Sequence, residues 1–199
     1  YELNGQTTAG LRDEITAKNP EKIAADVQKI IDNNGRLDST SSIMTGFGYA
    51  MIKDGTFYES TADLTSYNNQ RNFWMYFGKN AGHGHRDTLN LGMDAFGLNM
   101  APDLGYPETT GSQPNRLQWV SNTLSHNTVV VGLERQQAIG TGTVGDPLHF
   151  DDAGAVKLMD VEANKVYPET DSYRRTVVMV QVSDEISYGV DFFRVIGGD

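Results

Sequence analysis

The sequence predicts a mainly β protein, an antiparallel β-sandwich preceded by a short helical segment, and three observations carry that prediction. Convincing helical period is confined to the first forty residues. After Ser39 the texture changes to β-branched and aromatic runs cut by Gly, Asn and Asp. Residues 172–198, SYRRTVVMVQVSDEISYGVDFFRVIGG, set two such runs on either side of a tight connection, the strongest hairpin signal in the chain. Strands that follow one another without helices between them pair antiparallel and stack as a sandwich.

The helix is predicted from Asn19, with Asn19 as N-cap, Pro20 at the first helical position and Glu21 in the first turn. Ile23, Val27, Ile30 and Ile31 share one face and need a partner, and Asn34 or Gly35 closes the helix. Leu11 and Ile15, four apart, suggest a second short helix before it. Strands are predicted at 45–53, 73–77, 88–95, 126–133, 155–161, 173–182 and 186–196, with turns at 53–55 and 183–185. The stretches 102–122, which holds three of the six prolines, and 136–152 are predicted loops. The expected organisation is a helical segment over 1–40 and a sandwich over 41–199. A sandwich of long strands is not expected to stop directly after a full strand, so the reading is of a segment cut from a longer chain.

The chain has 199 residues, no cysteine, and 26 acidic against 16 basic residues, a formal charge of -10. Disulfides are excluded, and the summed field repels phosphate backbones and anionic lipid surfaces, so neither nucleic acid nor membrane is an expected partner. No stretch approaches the roughly 20 apolar residues of a membrane-spanning helix.

Chemistry concentrates in the histidines. In AGHGHRD, residues 81–87, His83, His85 and Asp87 alternate, and in an extended strand they would face one pocket. Imidazole with carboxylate suits zinc ligation or acid/base work. A His-x-His pair alone serves equally well as hydrogen-bonding groups within a turn. The ordered set is more specific: His-x-His-x-Asp at 83–87, Asp103 with Gly105, and Ser-His-Asn-Thr-Val at 125–129.

In that ordered set the sequence resembles the heparinase II/III-like polysaccharide lyases, a family that includes oligoalginate lyases. Gly48, Tyr49 and Ala50 also look like the first strand of that family's β-domain. The resemblance runs from about Thr45 onward and implies that the N-terminal helices are the end of an α/α-toroid. It implies a zinc ion held by His85, Asp103 and His126 in a structural role, and His83 in the substrate cleft as the catalytic candidate. Asp87 is a candidate partner for an imidazole N–H, and Tyr106 and Arg116 are candidate sugar contacts. The implied activity is β-elimination on an acidic, uronate-containing polysaccharide or oligosaccharide, with a Tyr and an Asn or His supplied by the toroid, in the periplasm or outside the cell. Two other classes fit the same residues. One is a non-catalytic carbohydrate-binding or structural sandwich, in which Trp74, Tyr76 and Trp119 stack on sugar. The other is a metal-dependent glycan hydrolase with Asp87 as base.

Overall fold

The structure, a computed structural model, describes residues 20–34, 40–55, 57–58, 67–106 and 115–198. Helix α1 (Pro20–Asn34) falls in one compact unit and the sheets in another. The helix carries Glu21 in its first turn and a Lys22–Asp26 ion pair at i,i+4. Ile23 and Ile30 of its apolar stripe are exposed. The earlier helix around Leu11 and the cap positions Asn19 and Gly35 lie outside the described residues.

The second unit is mainly β, as the sequence predicts. One sheet has the order β1 (Ser42–Met44), β2 (Tyr49–Asp54), β5 (Arg71–Tyr76), β6 (Asn90–Ala95) and β7 (Leu98–Asn99), every pairing antiparallel. A short pair, β3 (Phe57–Tyr58) and β4 (Tyr67–Asn68), interrupts the connection from β2 to β5. The other sheet has the order β11 (Ser187–Gly197), β10 (Thr170–Gln181), β9 (Val156–Glu162) and β8 (Asp146–Asp151), again antiparallel. Their inner faces meet in one core. Ala50, Ile52, Met75 and Phe77 come from the first sheet and its margin, and Met159, Val161, Tyr173, Val177 and Met179 from the second.

Several predicted boundaries are corrected. The strand at 45–53 is a hairpin, because Phe47 and Gly48 both donate to the Met44 carbonyl and Gly48 takes φ +84. Tyr49 and Ala50 thus open a second strand, not a first. Residues 126–133 form no named strand: besides a single bridge between Val131 and Glu134, the Asn127 carbonyl accepts from Leu91 of β6, and the Asn127 N–H and the Val129 carbonyl go to side chains. Strand β8 lies inside the predicted loop at 136–152. The end of the other predicted loop is coiled into a π turn, Arg116–Val120, and a 3₁₀ turn, Thr123–Ser125, follows it.

Strand β10 carries a polar network into the core. Tyr173 is fully buried, with ring edges against Tyr167 and Phe193 at 5.1 and 4.9 Å. Its hydroxyl donates to the Val129 carbonyl at 2.6 Å and accepts from the Gln136 amide at 3.1 Å. Burial pushes this phenol up to about 12, so it stays a donor throughout the working range. Tyr173→Phe removes the donor to the Val129 carbonyl and leaves one hydrogen of the buried Gln136 amide without its acceptor, and is expected to cost about 1–3 kcal/mol, measured as a lowered urea midpoint at unchanged slope.

Candidate metal centre

Three stretches of backbone converge at one end of the five-stranded sheet. The first is the loop between β5 and β6. It is built of turns: Gly82 has φ +73, Gly84 donates to the Ala81 carbonyl, and Leu89 takes φ +63 although it is not glycine. These turns abolish the alternation expected of an extended strand. His85 is buried and Asp87 half-buried, whereas His83 is exposed.

The second stretch begins with the hairpin of β6 and β7. Phe96 and Gly97, at φ +55 and +77, form its two-residue turn, and the returning chain brings in Asp103. Asp103 Oδ1 accepts the Gly105 N–H at 2.6 Å, which orients the carboxylate. The third stretch is the end of the 3₁₀ turn, where His126 Nδ1 meets the Asn122 carbonyl at 2.7 Å. A proton on Nδ1 satisfies that carbonyl and leaves Nε2 to face the other two groups.

The result is a compact group. His85 Nδ1 and His126 Nε2 are 3.0 Å apart, His126 Nε2 is 2.9 Å from Asp103 Oδ2, and His85 Nδ1 is 3.6 Å from Asp103 Oδ1. Asp87 joins them: one donor atom from each of the four residues lies within 4.8 Å of every other. Bonds of about 2.0–2.1 Å in a tetrahedron put neighbouring donors about 3.3 Å apart, so the N, N, O triplet has the spacing of a zinc-sized site. Two buried atoms here, His85 Nε2 and Asp87 Oδ1, have no hydrogen-bond partner among the described residues. A buried carboxylate oxygen without a donor is costly, and a cation relieves it.

The electrostatics agree. Hydrogen bonds from His126 and then His85 hold the Asp103 carboxyl far below the usual carboxylate range. Burial, opposed by the charges of His126 and His85, pushes Asp87 up to about 6. Burial pulls His126 down, but its contacts with Asp103, the Asn122 carbonyl and the Asp87 charge outweigh that, so its net shift is upward.

The loops are clamped from behind by residues that the sequence reading did not single out. Gln136 is buried and takes both the N–H and the carbonyl of Thr88, at 2.8 and 2.9 Å. Arg175 of β10 reaches the carbonyls of Leu89, at 2.8 Å, and Asn127. Its other side pairs with Asp191 through two bonds of 2.9 and 2.7 Å. No local signal marks either residue, since their partners lie 48 and 86 positions away in the chain.

A cleft of about 290 Å³ opens beside the group, with His85, Asp87, Asp103 and Tyr106 on one side and Tyr49, Trp74 and Tyr76 on the other. Tyr106 lies 5.4 Å from the His85 ring, and its hydroxyl donates to the His83 carbonyl. Arg116 is buried in the π turn, where its carbonyl accepts from both the N–H and the hydroxyl of Ser121, and it does not line the cleft.

Residues 41–195 match the family model described as "Heparinase II/III-like, C-terminal". The chain belongs to the heparinase II/III-like family. Among solved structures, heparan sulfate lyase HepC from Pedobacter heparinus, in a mutant form, superposes with a TM-score of 0.64 at 16% identity. That match covers 88% of this chain and 26% of the lyase. A structure described as heparinase III gives a TM-score of 0.61 at 19% identity, covering 82% of this chain and 23% of its own. These likenesses support the fold of the heparinase II/III-like domain, and the chain spans about a quarter of the length of the solved enzymes it matches. Comparison with curated proteins gives no match.

Metal analysis of the purified heparinase II/III-like domain is expected to find about one divalent ion per chain. His85→Ala, Asp103→Ala and His126→Ala should each lower both occupancy and melting temperature. At a hundredfold excess of metal over Kd the linked stability at stake is about 2.7 kcal/mol. Variants that keep the wild-type melting temperature would remove the site.

A pH series gives a second check. Without metal, the raised His126 contributes stability that is fully present below its ordinary 6.5 and is lost as pH rises through its folded value. Asp103 is held low, so its contribution is lost only in acid and stays constant over this interval. The chelated protein should therefore lose melting temperature, relative to the metal-loaded protein, as pH rises above the ordinary imidazole value of 6.5. The loaded protein gains over the same interval, because ligand imidazoles bind metal unprotonated. Parallel profiles for the two forms would contradict this.

Proposed function

We propose that this segment is the metal-bearing β-domain part of a polysaccharide lyase that cleaves an acidic, uronate-containing glycan by β-elimination. The reading takes zinc as the ion and the periplasm or cell exterior as the compartment. One observation carries it: in a member of the heparinase II/III-like family, His85, Asp103 and His126 come together from three separate stretches beside an open cleft.

Elimination makes definite demands. The sugar carboxylate must be neutralised, a base must take the C5 proton, and an acid must protonate the departing C4 oxygen. The C5–H electron pair becomes the new C4–C5 double bond as the C4–O bond breaks, so no water is consumed. His85, Asp103 and His126 would hold the zinc, which supplies fixed positive charge and fastens three segments together. Asp87 supports the group from within.

His83 is the residue of this segment assigned to the chemistry, neutralising the carboxylate or assisting proton transfer. Its imidazole is exposed on the same loop, and the Tyr106 hydroxyl ties that loop down through the His83 carbonyl. Tyr106, 57% exposed and lining the cleft, is positioned for sugar contact. Arg116 is buried away from the cleft, so Tyr106 is the sugar contact that this reading keeps. The tyrosine acid/base and its Asn or His partner belong to the toroid, so the reading assigns this segment part of the catalytic set.

The longer protein that carries this segment, incubated with heparan sulfate, alginate and other uronates, is expected to generate unsaturated ends that absorb in the near ultraviolet. Reducing ends without unsaturation would indicate hydrolysis, and neither would indicate a binding module. His83→Ala should lower turnover at least tenfold while the metal stays bound. Stoichiometric loss of metal in that variant would instead make His83 a ligand.

A further inference from the structure

We propose that the outer face of the five-stranded sheet is a sugar-stacking platform, on which Trp74 and Tyr49 receive the apolar face of a pyranose ring next to the metal group. The proposal rests on the polysaccharide reading above and adds to it the residues that grip the chain.

Strand alternation places the rings. On β5, Phe73 and Met75 turn into the core, so Trp74 and Tyr76 turn outward. On β2, Ala50 and Ile52 are inside, which puts Tyr49 on the same outer face. Four aromatic side chains, with Phe47 from the β1–β2 turn, thus pave a surface that the sandwich core does not use.

Gly92 sets the orientation of the central ring. It stands directly across from Trp74 in the ladder, and a Cβ there would lie 1.8 Å from the indole. Any larger residue would push the indole away from the sheet. Glycine lets the indole approach β6 closely, and Trp74 stays part-exposed where it lines the cleft. The Tyr49 ring stacks with the indole, centroids 6.0 Å apart and planes within 22° of parallel, so the two rings form one aromatic pair on this face. Tyr76 and Phe47 meet edge to face at 6.0 Å and carry the wall on toward the loop of His85.

The occupant follows from this chemistry. A flat aromatic surface bordered by hydrogen-bonding groups, here Asn90 and the carboxylates of Asp87 and Asp103, matches a pyranose. One face of that ring presents C–H groups, and its rim presents hydroxyls. A protein partner would require a continuous apolar patch instead. The stacking contact provides attraction that does not depend on charge. The platform and the metal group share one cleft, so a glycan lying on Trp74 continues to the reacting end.

The test uses intrinsic fluorescence. The chain has two tryptophans, Trp74 and Trp119, so Trp119→Phe leaves a single reporter. Titration of this variant with size-defined heparan sulfate and alginate oligosaccharides should change the Trp74 emission saturably with at least one of them. Measured by isothermal titration calorimetry, because these changes remove the fluorescent reporter, Trp74→Ala should weaken that binding about tenfold or more, with Trp74→Phe in between. In the longer lyase the same change should raise KM by a similar factor and alter kcat much less. Metal content serves as the folding control, and the fluorescence titration is independent of any Trp74 variant. Saturable emission change without unsaturated product leaves the platform standing and removes the lyase reading. Unsaturated product with unchanged KM in Trp74→Ala removes the platform and leaves the lyase. No emission change with either oligosaccharide overturns the platform.

Discussion

Two imidazoles and a carboxylate from three stretches of chain share one small volume only if the backbone around them is held by something other than themselves. Here that support is Arg175. A guanidinium stands at an inward position of β10, where the flanking inward residues Tyr173, Val177 and Met179 are aromatic or apolar. Its charge is met by Asp191, and its remaining donor takes carbonyls from two different loops. One of those carbonyls follows the His85 loop and the other follows His126. Both imidazole-bearing segments are thereby referred to a single rigid strand in the opposite sheet.

Gln136 works in the same sense at shorter range. It satisfies both backbone groups of Thr88, a residue that belongs to no ladder, and its N–H goes to Thr123 at the start of the turn that ends in His126. Buried polar groups of this kind contribute little net stability when paired and cost a great deal when one partner is lost. Their effect is to select one arrangement of the loops. Asn80 adds a third tie, accepting from Ile139 N–H at 2.7 Å and donating to the Gln137 carbonyl at 2.9 Å.

Much of the fold was legible in the sequence, and the reasons are local. The pair β10 and β11 announced itself through β-branched and aromatic runs around a Ser-Asp-Glu turn, and β5 through the run at 73–77. The convergence of His85, Asp103 and His126 was legible through the order of motifs. The structure adds the geometric reason for the return of Asp103, the hairpin turn at Phe96 and Gly97. What escaped was non-local or depended on turns. His83 and His85 were read as sharing a face because an extended chain was assumed, and the loop's turns divide them into one exposed and one buried. Asp87 was read as a supporting partner, whereas its donor oxygen stands within the group itself. Strand β8 was hidden by its Asp, Pro and His composition, which matches a loop when its partner β9 is unknown.

The pairing of Arg175 with Asp191 bears on how small a working version of this domain can be made. The three cation-facing residues all lie between His85 and His126, which invites transplanting that stretch alone onto another scaffold. Such a graft would omit the strut and the far hairpin that anchors it, and the excised loops would lose their common reference. The shortest portable module therefore reaches through β11, some seventy residues beyond the last of the cation-facing side chains.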